Sequence, residues 1–122
     1  MSNNASLLFI VILRYKAPLA QIDAMRSAHM DFLSHHYTTG SFIASGPQVP
    51  RQGGVIIAQC SSQEALQAIL KQDPFAINHM ADYEIIAFSP TMLTPYELTE
   101  FFLTNNVTKQ QNRITKNDSN ND

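Results

Sequence analysis

Leu7-Leu8-Phe9-Ile10-Val11-Ile12-Leu13 is an unbroken apolar run rich in β-branched side chains. It falls far short of the ~20 residues that a membrane-crossing helix needs, and it has the length of a strand buried on both faces. No Lys or Arg lies in Met1–Ser6 before it, and no small-residue cleavage pattern follows it, so it does not read as a secretory signal. The expected setting is cytoplasmic. With this run as the first strand, the rest of the chain falls into a repeated order of elements.

From Leu19, apolar side chains recur at Ile22, Met25, Phe32, Leu33 and His36-Tyr37, the spacing of one helix face, with Pro18 near the start and Gly40 where a helix stops. Phe42-Ile43-Ala44 then reads as a short strand ending at a turn, Ser45-Gly46-Pro47. Gln48 to Gln52 form a loop into Gly53-Gly54, and Val55-Ile56-Ile57-Ala58 is the next strand, close enough in sequence to pair antiparallel with the one before it. Ser61-Ser62-Gln63-Glu64 reads as a capping box, with Ser61 as N-cap, ahead of a stripe of Ala65, Leu66, Ile69 and Leu70. Asp73-Pro74 signals a second, short helix over Phe75–Met80, and Tyr83–Phe88 is the last strand. The order strand-helix-strand, strand-helix-strand predicts an α+β fold: the ferredoxin-like split βαβ (βαββαβ), one four-stranded antiparallel sheet with its helices on one face. The other face of such a sheet stays open unless something covers it, and a second subunit is the candidate.

The chain has 122 residues, 44% hydrophobic and 15% charged, with a formal charge of -2, which fits one domain with a sizeable core. The domain is expected to span 1–103, including a helix near 94–103 that opens at Thr94-Pro95-Tyr96-Glu97. The Asn-rich segment 104–122 cannot bury enough apolar surface to order itself and is expected to be mobile. Eight Lys plus Arg against ten Asp plus Glu, without runs, give no basic footprint, so neither nucleic acid nor a membrane is an expected partner. The lone Cys60 excludes an intrachain disulfide, and as a thiol at a strand end it reads as buried and inert.

Among the residues able to carry chemistry, His29 stands on the inward side of the first helix as the odd residue of an apolar face, with Arg26 one turn earlier. It reads either as a partly buried packing residue or as a proton-transfer group. An ordinary imidazole titrates near ~6.5 and can take and return a proton at neutral pH. Asp73 reads as an N-cap, a placement that would also suit a carboxylate orienting a histidine. His29, His36 and Asp73 do not make a metal site, because seven helical residues span about 10 Å. Gly46-Pro47 and Gly53-Gly54 match neither a phosphate loop nor a dinucleotide fingerprint, and no cofactor is expected. Tyr15, Tyr37 and Tyr83 read as core or interface residues, although a hydroxyl near His29 could donate to a substrate.

Arg26-x-x-His29-x-x-Phe32-Leu33, Gly40, Ser45-Gly46-Pro47, Gly53-Gly54-Val55 and Asp73-Pro74-Phe75, in this order, resemble the YciI-like (YCII-related) family over about Leu7–Pro90. The resemblance implies a homodimer whose paired sheets form a dimeric α/β barrel. It implies an active site centred on His29 and Asp73, and it aligns the family's glycine-proline turn with Gly46 and Pro47. One branch of the family eliminates chloride from a chlorinated hydroxyhydroquinone, and similar barrels include muconolactone isomerases. The expected function is therefore a metal-free lyase or isomerase acting on a cyclic oxygenated small molecule. His29 would be the acid/base, Asp73 its partner, Arg26 the holder of a substrate anion, and Ser45, Gly46 and Pro47 the pocket lining. The alternative is a metabolite-binding or interaction module that uses the same pocket without catalysis.

Overall fold

The computed structural model describes residues 7–95. Contacts divide the chain into residues 1–90 and 91–122; of the second unit only 91–95 are described, and they carry no helix or strand. The expected helix over 94–103 and the expected mobile tail therefore lie outside the described residues, save for Thr94 and Pro95.

The first unit runs β1 (Leu8–Tyr15), α1 (Leu19–Ala24), α2 (Arg26–Thr38), β2 (Phe42–Pro47), β3 (Gly53–Ala58), α3 (Gln63–Leu70), α4 (Pro74–Ile77) and β4 (Ala81–Phe88). All strands pair antiparallel in one sheet of order β2-β3-β1-β4. This is the α+β architecture with βαββαβ order that the sequence predicts. Among the described residues no helix is long and apolar enough to cross a membrane.

The apolar run becomes the central strand because both of its faces have work to do. Phe9, Val11 and Leu13 point to the helical side and are fully or almost fully buried with Ile22, Phe32 and Leu66. Burying a side chain of this size contributes about 1.5–3 kcal/mol, so this face alone anchors the fold. Leu8, Ile10 and Ile12 point the other way. Their register partners Val55 and Ile57 on β3 and Ile86 and Phe88 on β4 share that outer face, which stays partly open.

The short helix read over Phe75–Met80 ends at Ile77, β3 and β4 each start two residues earlier than read, at Gly53 and Ala81, and four further details differ from the sequence reading. The first helix is two: Met25, at φ -101° and ψ 2°, breaks the ladder, so α2 begins afresh at Arg26. The second strand does not stop at Ala44, because Ser45, Gly46 and Pro47 pair with Ile56, Val55 and Gly54 instead of turning. A proline is tolerated there because β2 is an edge strand and needs no donor on its free side. The cap of α3 is Ser62, whose hydroxyl accepts from the Ala65 amide at 3.0 Å; Ser61 lies one residue too early, and Glu64 falls in the first turn rather than at the capping-box position. Cys60 is half-buried rather than sealed.

Candidate functional site

Asp73 comes to its place by the local logic read from the sequence. It caps α4, with Pro74 in the first turn, and its Oδ1 accepts from the Phe75 amide at 3.0 Å. Its side chain is 0% exposed. A carboxylate sealed from water is tolerable only if its lone pairs are taken by donors. Oδ2 accepts from the Tyr83 hydroxyl at 2.6 Å, and Oδ1 lies 2.8 Å from His29 Nδ1. As the carboxylate is an acceptor only, His29 presents Nδ1–H to it. That leaves the lone pair on Nε2.

His29 reaches Asp73 from α2, one turn into the restarted helix. Phe75 lies nearly flat on its ring, with centroids 4.2 Å apart and planes inclined by 14°, and Phe32 flanks it at 6.2 Å. The ring is thus fixed in tilt by stacking and in spin by the carboxylate. The side chain is 13% exposed. Nε2 has no hydrogen-bond partner among the described residues and is not a sealed atom, so the exposed part of the ring leaves it open to solvent.

Tyr83 is the residue that sequence reasoning leaves undistinguished. Its register partner on β1 is Leu13, so it points to the helical face, directly under α4. Burial first, and then the Asp73 carboxylate, push its phenol far above the ordinary tyrosine range, so it stays a donor. The one signal available in sequence is strand parity, since Tyr83 and Ile85 alternate with Asp82 and Glu84.

The remaining predicted residues are not drawn to this pair. Arg26 is exposed at the start of α2, and its charge adds to that of Arg51 in holding the Asp23 carboxyl below its usual range. The main cause there is the 2.5 Å hydrogen bond from Arg51, whose guanidinium also sits 5.7 Å from the centre of the Tyr15 ring. Ser45 bonds the Tyr37 hydroxyl at 2.6 Å, about two helical turns beyond His29, and Gly46 and Pro47 lie with it on the edge strand farthest from β4. His36, in contrast, is 5% exposed and bonds Gln72, the neighbour of Asp73, at 2.9 Å. Among the described residues no group of three or more His, Cys, Asp or Glu could hold a metal ion.

No curated protein matches the chain. Among solved structures, a 5-chloro-2-hydroxyhydroquinone dehydrochlorinase from Burkholderia phenoliruptrix AC1100, in complex with 2,5-dihydroxybenzoquinone, is similar at 16% identity. The match covers 70% of this chain and 95% of that one, with a TM-score of 0.57. A cofactor-independent oxygenase, SnoaB from Streptomyces nogalater, matches at 14% identity over 73% of this chain and 96% of its own, with a TM-score of 0.42. A monooxygenase from Streptomyces coelicolor in complex with nanaomycin D matches at 13% over 76% and 94%, with a TM-score of 0.43. The first of these likenesses places the fold in the dimeric α/β barrel class. Residues 8–89, more than half of the chain, match the model of the YCII-related domain, and the chain belongs to that family.

Proposed function

We propose that the protein is a metal-free acid/base enzyme of the lyase or isomerase kind, acting on a cyclic oxygenated small molecule, with His29 as the proton-transfer group. One observation carries this reading. Asp73 is wholly buried with both oxygens engaged, and it holds His29 by Nδ1 so that Nε2 faces outward. A histidine kept only for packing has no need of a sealed carboxylate behind it. Nε2 takes a proton from the substrate, and the imidazolium that forms is paired through Nδ1–H with Asp73. In an elimination the leaving group departs from the adjacent atom with the bonding electron pair. In an isomerisation the imidazolium returns the proton to a neighbouring atom. Tyr83 and the Phe75 amide keep the carboxylate from turning away.

Support for the substrate class comes from the Burkholderia relative, whose ligand and named reaction both concern oxygenated six-membered rings. Arg26, exposed on the turn before His29, supplies a positive charge for an anionic ring oxygen. The Ser45–Pro47 segment plays no part in this reading, because its one side-chain bond ties it to Tyr37. The outer face of the sheet, with Ile86 and Phe88 at 45% and 42% exposure, is the surface through which two copies would pair.

The test is turnover of a panel of chlorinated hydroxyhydroquinones and unsaturated lactones by the wild type, His29→Ala and Asp73→Asn. Loss of positioned acid/base catalysis lowers rates by about 10²–10⁴-fold. A His29→Ala variant as fast as the wild type sinks the proposal. Tight binding of panel members without turnover by the wild type would instead favour a metabolite-binding module.

A further inference from the structure

His29 and His36 are seven residues apart on α2, two turns along the same face. Gln72 and Asp73, their partners, are adjacent in the turn between α3 and α4. Two contacts set about 10 Å apart along one helix therefore converge on two consecutive residues. Tyr83 and the Phe75 amide already hold the carboxylate; the His36–Gln72 bond adds a second tie between this turn and α2, set at a distance from the first along the helix.

We infer that His36 and Gln72 are positioning residues for the His29–Asp73 contact, a second cross-link that fixes where Asp73 presents Oδ1. The chemistry of His36 argues for this over simple packing. Its ring is buried among Phe32 and Phe42, at centroid distances of 5.1 and 5.2 Å, and His35 stands edge-on at 4.8 Å. Gln72 Oε1 accepts, so His36 Nε2 carries the proton and Nδ1 is bare. Nδ1 is the one buried side-chain polar atom without a partner among the described residues. A phenyl ring would fill this space without that orphaned nitrogen. What the imidazole adds is its bond to Gln72, and that bond leads directly to the residue before Asp73. Sites held to within fractions of an ångström depend on such supporting bonds.

The inference concerns the geometry of the pair and rests on the proposed function only for its catalytic consequence. The test is therefore spectroscopic: imidazole ¹H–¹⁵N spectra of the whole protein, reading the tautomer of His29 and the exchange of its Nδ1 proton with water. His36→Phe keeps the aromatic packing, and Gln72→Met keeps the chain length without the acceptor. Each is expected to speed exchange of the His29 Nδ1 proton by roughly tenfold or more and to mix its tautomers, because the turn opens locally more often. Gln72→Glu retains an acceptor for His36 and is expected to behave as the wild type. If folded His36→Phe and Gln72→Met leave the His29 signals unchanged, or if Gln72→Glu disturbs them as much as Gln72→Met does, the inference is wrong. Should His36→Phe fail to fold, Gln72→Met at its exposed position decides the matter. A catalytically silent His29→Ala would overturn the proposed function without touching this result.

Discussion

Tyr83 donates its hydroxyl to Asp73 Oδ2 at 2.6 Å, from the last strand of the sheet to the cap of a four-residue helix. Among the described residues it is the one donor to Oδ2, on a carboxylate that has no access to water. Tyr83→Phe keeps the ring and strands the oxygen. A buried acceptor left unsatisfied costs about 1–3 kcal/mol, and more when it is charged. Chemical denaturation is expected to show a loss of at least that size, with turnover falling as Asp73 gains freedom to rotate.

The same bond sets an alkaline limit. The folded protein holds Tyr83 as the neutral phenol, chiefly through burial, and its pKa is raised over that of the unfolded chain. The stability it contributes is complete below the ordinary tyrosine value of about 10 and declines as pH climbs beyond it, because the unfolded state releases the proton first. Tyrosinate absorbance of the wild type minus that of Tyr83→Phe is expected to show no ionisation of Tyr83 near pH 10 short of unfolding. Ordinary titration of Tyr83 in the folded protein would contradict this.

Gly46 lies opposite Val55 in the β2–β3 ladder and Gly53 opposite Arg14 in the β1–β3 ladder, and the two should respond differently to alanine. A Cβ at Gly53 would overlap the Leu13 carbonyl oxygen, a backbone atom of the central strand that cannot step aside. Gly53→Ala is expected to cost about 3 kcal/mol or more, by forcing β1 and β3 apart. At Gly46 nothing lies within 4 Å of the added carbon, and Gly46→Ala should change stability by no more than about 0.5 kcal/mol. Thermal melts of the two variants side by side are sufficient.

If the outer sheet face pairs with a second copy, one charge in it should part the subunits. Ile86 lies beside Ile10 in the register and is 45% exposed in the single chain. Ile86→Lys is expected to convert a dimer into monomers in sedimentation experiments while leaving the circular dichroism spectrum intact. A wild-type protein that sediments as a monomer refutes the pairing.

Much of this architecture is legible in the sequence because local and long-range preferences agree there. The run at Leu7–Leu13 can be little but a buried strand, and Asp73-Pro74 caps a helix in the structure as it reads on paper. The misreadings arise where a local preference yields to the sheet. Gly46 and Pro47 favour a turn, but pairing with Val55 and Gly54 outweighs that preference on an edge where proline is harmless. Nothing in the composition around Met25 announces a break, since helix periodicity runs on through it. Of the candidate site, His29 and Asp73 are visible as residue types in suggestive places. Their pairing, 44 residues apart in sequence, comes from the family resemblance and not from spacing, and the part played by Tyr83, Phe75 or Gln72 is not visible, because each depends on how α2, α4 and β4 pack together.

The central place of β1 bears on the order in which the molecule is made. Of the four strands β1 is synthesised first and is the one that β3 and β4 must both join, so its β4 edge stays empty until residues 81–88 have been made. Non-local pairing of this kind is slow, since the loop must close before the contact rewards it. Tyr83 rides on that final strand, so Asp73 cannot be closed off with both oxygens satisfied until then. A nascent chain stalled short of residue 81 would hold its helices and its first hairpin partners, but not a finished carboxylate. Completion of the site and completion of the sheet are the same event.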